Sequence, residues 1–293
     1  MRNRFIGLIV VLITILAFSA VALAQAGQRA GTARTSTTSA KPFEPHDLSG
    51  IWVPTGPSVM SDDRPPMTDW GKAKWSTTKA SGRKTPLAFG FFPEQRDWND
   101  PIQWCDPAGY PRNLWYTGGG RGNLRIVQTP TEVLQFFERD HIWRDLWTDG
   151  RKLPDDPESR WFGYSTAHWE GDTFVVESSG FDDRTWLDMD GSIHSDQMRL
   201  VERYRRADHD HLELVLTITD PKAYTAPWVS GKKIFNWEAN SDRVQPSLWG
   251  KKADGTEYGD IREDLCLWSE QQSFYTRIDP TGDEGHLSID NQK

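Results

Sequence analysis

Residues 186–198 read WLDMDGSIHSDQM and crowd Asp188, Asp190, His194 and Ser195 into a few positions. An imidazole exchanges protons near neutral pH, so His194 is the candidate for general acid–base work. Asp188 or Asp190 would orient it. The competing role for His194 is structural: its ring would hold a long crossover loop by hydrogen bonds. Ser195 does not complete a hydrolase triad. Adjacent residues point apart, and the chain holds no Gly-x-Ser-x-Gly elbow. The Asp-Met-Asp-Gly run resembles a fragment of a calcium loop but lacks the third acidic ligand and the terminal Glu. His209 and His211 flank Asp210 at a tight turn, which reads as a solvated hairpin tip and not as a metal site. The run GGGRG at 118–122 lacks the Gly-Lys-Ser/Thr of a phosphate loop. No cofactor and no metal is therefore expected.

Two arginines could clamp an anion, because a guanidinium grips a carboxylate through two hydrogen bonds. Arg112 sits in an irregular Gly-Tyr-Pro-Arg stretch and is the better candidate. Arg203 lies in a strand and faces outward. The 15 tryptophans form a further signal. Many, Trp169 and Trp186 among them, stand close to Gly, Pro, Asp or Lys, which suggests loops and rims. Flat amphipathic rings at a mouth suit sugars or aromatic ligands. Arg112, Trp186, Trp169 and Tyr204 are the expected ligand-binding set, with core packing the competing role for Tyr204.

The elements that must position these groups are strands. From Leu124 onward the chain alternates in segments beginning near 124, 132, 141, 163, 173, 197, 212 and 232. EGD at 170–172 and ADHDH at 207–211 read as tight hairpin turns. Period two sets the faces. Met198, Leu200, Glu202 and Tyr204 share one face, which should join Leu212, Leu214, Leu216 and Ile218 inside. Glu202 then becomes an interior carboxylate. Such a group must pair or sit in a polar cavity, which makes it the third candidate catalytic group beside His194 and Asp188. The faces of the strand bearing Glu177 stay open, since both carry apolar residues.

Sequential antiparallel strands close most simply into a barrel. The expected fold is all-β, an antiparallel lipocalin- or calycin-like barrel. Its N-terminal segment is irregular and rich in Pro, Gly and Trp, with one short helix capped by Thr68. Residues 46–293 form a single domain, with 46–122 as the wrap and 123–293 as the strand meander. Gly50-Ile51-Trp52 resembles the strand-start signature of lipocalin-like barrels, where the Trp plugs one end.

The chain opens MRNR and continues into an apolar run that ends Ala22-Leu23-Ala24. This fits a signal peptide over residues 1–24, with Gln25 as the mature N-terminus. An uncleaved anchor is the alternative, since a run of roughly 20 apolar residues spans a bilayer. Either way the remainder is extracytoplasmic, periplasmic or secreted. No Cys follows the cleavage point, so a lipid anchor is not expected. Residues 25–45 read as a flexible linker. Lys and Arg number 34 against 42 Asp and Glu, a net charge of −8. That acidity excludes nucleic acid and anionic membrane surfaces as partners. It leaves neutral or cationic small molecules, or a small anion held by a local arginine. In an oxidising compartment Cys105 and Cys266 read as one disulfide, with two separate buried thiols as the alternative.

Longer segments carry a family resemblance. WEGDT at 169–173, the TWLDxxGxxHS pattern from Thr185, ERxxR from Glu202 and DPKAYTxPW from Asp220 resemble a family of secreted bacterial proteins common in Acidobacteria. With NDPIQWCDPAGYPR, WTDGRKLPDDP and EDLCLWSE, the likeness spans most of residues 47–270. It implies secretion and cysteines at positions 105 and 266, and implies no particular reaction. The chain departs from the pattern at Ala167-His168, where the family has Gly-Arg, so no family role attaches to His168. Two functions follow. One is binding of a sugar or aromatic molecule in a Trp-lined cavity. The other is a cofactor-free lyase, isomerase or hydratase working through His194.

Overall fold

The computed structural model describes residues 42–56, 59–80, 99–115, 122–237, 260–261 and 265–267. The expected signal peptide and the linker up to residue 41 lie outside them. The strands are β1 (Gly50–Thr55), β2 (Leu124–Gln128), β3 (Glu132–Phe137), β4 (Ile142–Trp147), β5 (Tyr164–Glu170), β6 (Thr173–Ser179), β7 (Arg199–Arg206), β8 (His211–Thr219), β9 (Trp228–Val229) and β10 (Lys233–Trp237). Helix α1 covers Asp69–Thr77, and short 3-10 turns cover Pro101–Trp104 and Arg112–Trp115.

Strands β1 to β8 pair in order, and β10 pairs with both β8 and β1. The sheet therefore closes into a nine-stranded barrel, with β9 a short flank on β8. A closed ring with an odd number of strands cannot alternate direction throughout. One neighbouring pair must be parallel, and it is β4–β5, joined through Trp147 and Thr166. This corrects the uniformly antiparallel meander. The Thr148-Asp149-Gly150 stretch does not reverse the chain into a hairpin. It starts a crossover over residues 148–163 that brings the chain back to the other end.

The alternation in β7 comes out as its sequence dictates. Leu200, Glu202 and Tyr204 are buried, while Arg199, Arg203 and Arg205 are exposed. Met198, Leu212, Leu214, Leu216 and Ile218 are buried with them. Glu177 is exposed.

The two barrel ends differ. Short turns link β2–β3, β5–β6 and β7–β8 at one end. There the indole N–H of Trp52 donates to the Leu48 carbonyl at 2.9 Å, and Trp237 meets Trp52 edge-on at 5.1 Å. The Arg206 guanidinium lies 5.4 Å from both rings. Gly50 has φ +136°, and a Cβ there would stand 2.3 Å from the Trp237 ring. That contact explains why the Gly precedes the Trp.

The other end carries the long connections 56–123, 180–198 and 220–232. Helix α1 belongs to it. The Thr68 hydroxyl caps the helix by accepting from Gly71 N at 3.0 Å. A helix this short needs tertiary anchors. Lys74 supplies them, donating to Asp183 at 2.7 Å and to the His194 carbonyl at 3.0 Å. Cys105 and Cys266 form a disulfide with Cα atoms 5.2 Å apart, an ordinary span for the bond. It ties the irregular N-terminal segment to the C-terminal one.

Candidate functional site

Each of five successive strands sends one polar side chain into the barrel lumen. Gln135 comes from β3, Arg144 from β4, Ser165 from β5, Ser178 from β6 and Glu202 from β7, joined by Tyr204; all are buried. Tyr110 descends from the irregular segment to complete the set. Arg144 Nη2 donates to Glu202 Oε1 at 2.7 Å and to Ser178 at 2.6 Å, and the two serine hydroxyls lie 2.9 Å apart. The Tyr110 and Tyr204 hydroxyls both donate to Glu202 Oε2, the latter at 2.8 Å. Gln135 Nε2 donates to the Tyr204 hydroxyl at 3.0 Å. The guanidinium of Arg144 also lies 3.8 Å over the Tyr110 ring.

Burial, and then the Glu202 charge, push both phenols well above their ordinary pKa. They stay protonated and donate. Burial opposes the Arg144 charge, but Glu202 together with Tyr110 and Tyr204 outweighs it and raises the guanidinium. Glu202 is thus where its register predicts, and it belongs to a sealed ion pair with every oxygen engaged. At this level the lumen is occupied by the protein's own side chains.

The 186–198 loop distributes its groups differently from the expectation. His194 is fully buried. Its Nδ1 faces the Ser195 carbonyl at 3.1 Å, and a carbonyl only accepts, so Nδ1 carries the hydrogen. Nε2 lies 2.8 Å from the Thr185 hydroxyl, which also bonds the Asp182 carbonyl at 3.0 Å. Burial lowers the ring's pKa despite the bond to Ser195. Both nitrogens are committed to holding the loop. Asp188 does not orient this ring. Its Oδ1 accepts from Asp190 N and Ser192 N, each at 3.0 Å. Ser195 bonds Asp220 through its hydroxyl at 2.7 Å and its amide N at 2.6 Å.

Arg112 is likewise buried. It grips Asp100 through two hydrogen bonds of 2.7 and 2.5 Å and lies 5.4 Å from the Trp186 ring. The clamp the sequence suggested exists, and its carboxylate is the protein's own. Among the described residues, His194, Glu202 and Arg112 thus bond different partners, Thr185, Arg144 and Asp100. Trp186 is buried beneath Arg112, and Tyr204 sits in the lumen. Trp169 stands at the short-turn end, stacked on His46 at 4.3 Å.

What the loop does line is a cleft of about 350 Å³ at the long-loop end. The chain around 59–64 gives Val59, Ser61, Asp62 and Arg64; α1 gives Trp75; the loop gives Asp188, Asp190 and Ser192; β9 gives Trp228. The Arg64 guanidinium lies 4.6 Å from the Trp75 ring. Trp228 donates from its indole nitrogen to the Ser61 hydroxyl at 2.8 Å and packs against Tyr224 at 5.4 Å. Behind the wall, Lys233 donates to the Val59 carbonyl. Burial lowers its pKa, and the nearby charge of Asp188 opposes that shift.

Of the residues singled out from the sequence, Asp188 and Asp190 line this cleft. Arg64, Trp75 and Trp228 were missed, because nothing in their local spacing marks them and loops distant in sequence bring them together. Arg144 was missed although its signal was present. Ile142, Arg144 and Leu146 share one strand face, so the register alone places a charge inside. Among the described residues no group of His, Cys, Asp or Glu is arranged to hold a metal ion. Comparison of the chain with family models, with curated proteins and with solved structures gives no match in any of the three.

Proposed function

We propose that the protein is an extracytoplasmic barrel that binds a small polar organic molecule in the long-loop cleft. The observation that carries this reading is the cleft itself. Its volume falls within the range of small-molecule sites. Rings and charged groups from four separate segments converge on it. The disulfide and the apolar leader support an oxidising, extracytoplasmic setting. The competing reading, proton transfer by His194, has no comparable support, since both ring nitrogens are engaged and buried.

The test is a thermal-shift screen of the full chain against sugars, aromatic compounds, carboxylic acids and amino acids, with product analysis of every hit. A ligand recovered unchanged, whose effect disappears in Trp75→Ala and persists in His194→Gln, supports the reading. A ligand that is turned over, or one indifferent to Trp75→Ala, overturns it.

A further inference from the structure

We infer that the cleft's ligand is a small zwitterion of the α-amino-acid type, its carboxylate received by Arg64 and its ammonium by Asp62 and Asp190. The inference rests on the binding function proposed above and narrows it to one charge pattern. Among the described residues Arg64 makes no hydrogen bond or ion pair, and its guanidinium lies 4.6 Å from the Trp75 ring. Its donors remain open beside a cleft that also holds three carboxylates, Asp62, Asp188 and Asp190. An arginine among acids would ordinarily fold onto one of them. Here it pairs with none of the three and lies over the ring of Trp75 instead. A guanidinium kept planar and separate is shaped for a bidentate carboxylate.

The carboxylates divide by burial. Asp188 is buried and spends Oδ1 on two backbone N–H groups, so it shapes the floor. Its charge is shared with Lys233 behind the wall. Asp62 is exposed and meets a cation arriving from solvent, and Asp190 lines the same cleft half-buried. The aromatic groups argue against a stacked sugar. Arg64 already covers a face of Trp75, and Trp228 is buried with its N–H committed to Ser61. Separated charges of both signs are what the cleft offers, and a zwitterion satisfies both at once.

The experiment is calorimetric titration of the full chain with the common α-amino acids. The tightest binder is then compared with its ethyl ester, its N-acetyl derivative and glucose. Removing either ligand charge should weaken binding about tenfold or more. Arg64→Gln should weaken the parent and the N-acetyl derivative alike and leave the ester unchanged. Asp62→Asn with Asp190→Asn should do the reverse. Urea melts check that each variant folds. Ester and N-acetyl derivative binding as tightly as the parent would overturn the zwitterion and leave the cleft in place, as would binding of glucose alone. Amino-acid binding indifferent to both Arg64→Gln and Trp75→Ala would overturn the cleft as well. Absence of binding by every amino acid overturns the inference.

Discussion

The hydroxyl of Tyr110 donates to the carboxylate of Glu202 across 92 residues of sequence, inside a barrel to which Tyr110 contributes no strand. The irregular segment is thus part of the core and not merely a cover. It supplies the donor that completes a buried ion pair. A buried charge losing its partner typically costs about 3–5 kcal/mol, because the remaining charge stays desolvated. Glu202→Gln and Arg144→Met should each lower unfolding free energy by about that much in urea. Tyr110→Phe should cost less, about 1–3 kcal/mol, since a neutral donor is lost. The double variant Glu202→Gln with Arg144→Met should recover much of the loss. Purely additive single losses would show that the two residues do not act as a pair.

The disulfide spans 161 residues of sequence. On the chain-entropy account, closing a loop longer than about 100 residues removes roughly 5 kcal/mol from the unfolded ensemble. Reduction should therefore lower the melting temperature clearly, and Cys105→Ser should match the reduced protein. Peptide mapping without reductant should recover residue 105 linked to residue 266. Equal melting temperatures with and without reductant would show that the bond contributes little.

Burial lowers the His194 pKa from the free value of 6.5. The unfolded chain therefore takes up a proton at higher pH than the folded one does. Stability should fall as pH drops below about 6.5, and level off once the folded ring also titrates. His194→Gln should flatten that slope, measured by urea melts on either side of the midpoint. It should also cost about 1 kcal/mol at neutral pH, for a lost hydrogen bond. Ligand binding should be spared, since the ring lies outside the cleft. A slope that persists in the variant would assign it to other groups.

The sequence carries the barrel in a form that can be read, because strand alternation is local. Glu202 beside Leu200 and Tyr204 announces an interior charge, and Thr68-Asp69 announces the cap of α1. The parallel β4–β5 pair is not local. It follows from ring closure with an odd strand count, which requires knowing that β10 returns to β1. The site is least legible for the same reason. His194, Glu202 and Arg112 have the residue types of a catalytic set, yet each is satisfied by a partner 9, 58 and 12 residues away, respectively. Residue type signals a polar interaction; only the fold shows whether the partner is the protein or a ligand.

Gly71 tests how the cleft wall is held. It lies within α1, where Ala is ordinarily preferred by about 1 kcal/mol. A Cβ at this position would stand 2.3 Å from the Ala223 carbonyl oxygen, and Ala223 N is itself bonded to Asp220 Oδ1 at 3.1 Å. The obstacle is backbone, fixed by the same Asp220 that bonds Ser195. Overpacking against an immobile neighbour costs about 1–3 kcal/mol, which exceeds the helical gain. Gly71→Ala should therefore be destabilising by up to about 2 kcal/mol, with α1 shifted away from the 220–224 loop. Trp75 rides on that helix, so ligand affinity should drop with it while sheet content by circular dichroism stays constant. A stabilised Gly71→Ala with unchanged affinity would mean that the helix and the loop are free to separate, and that Trp75 is not held in place by this contact.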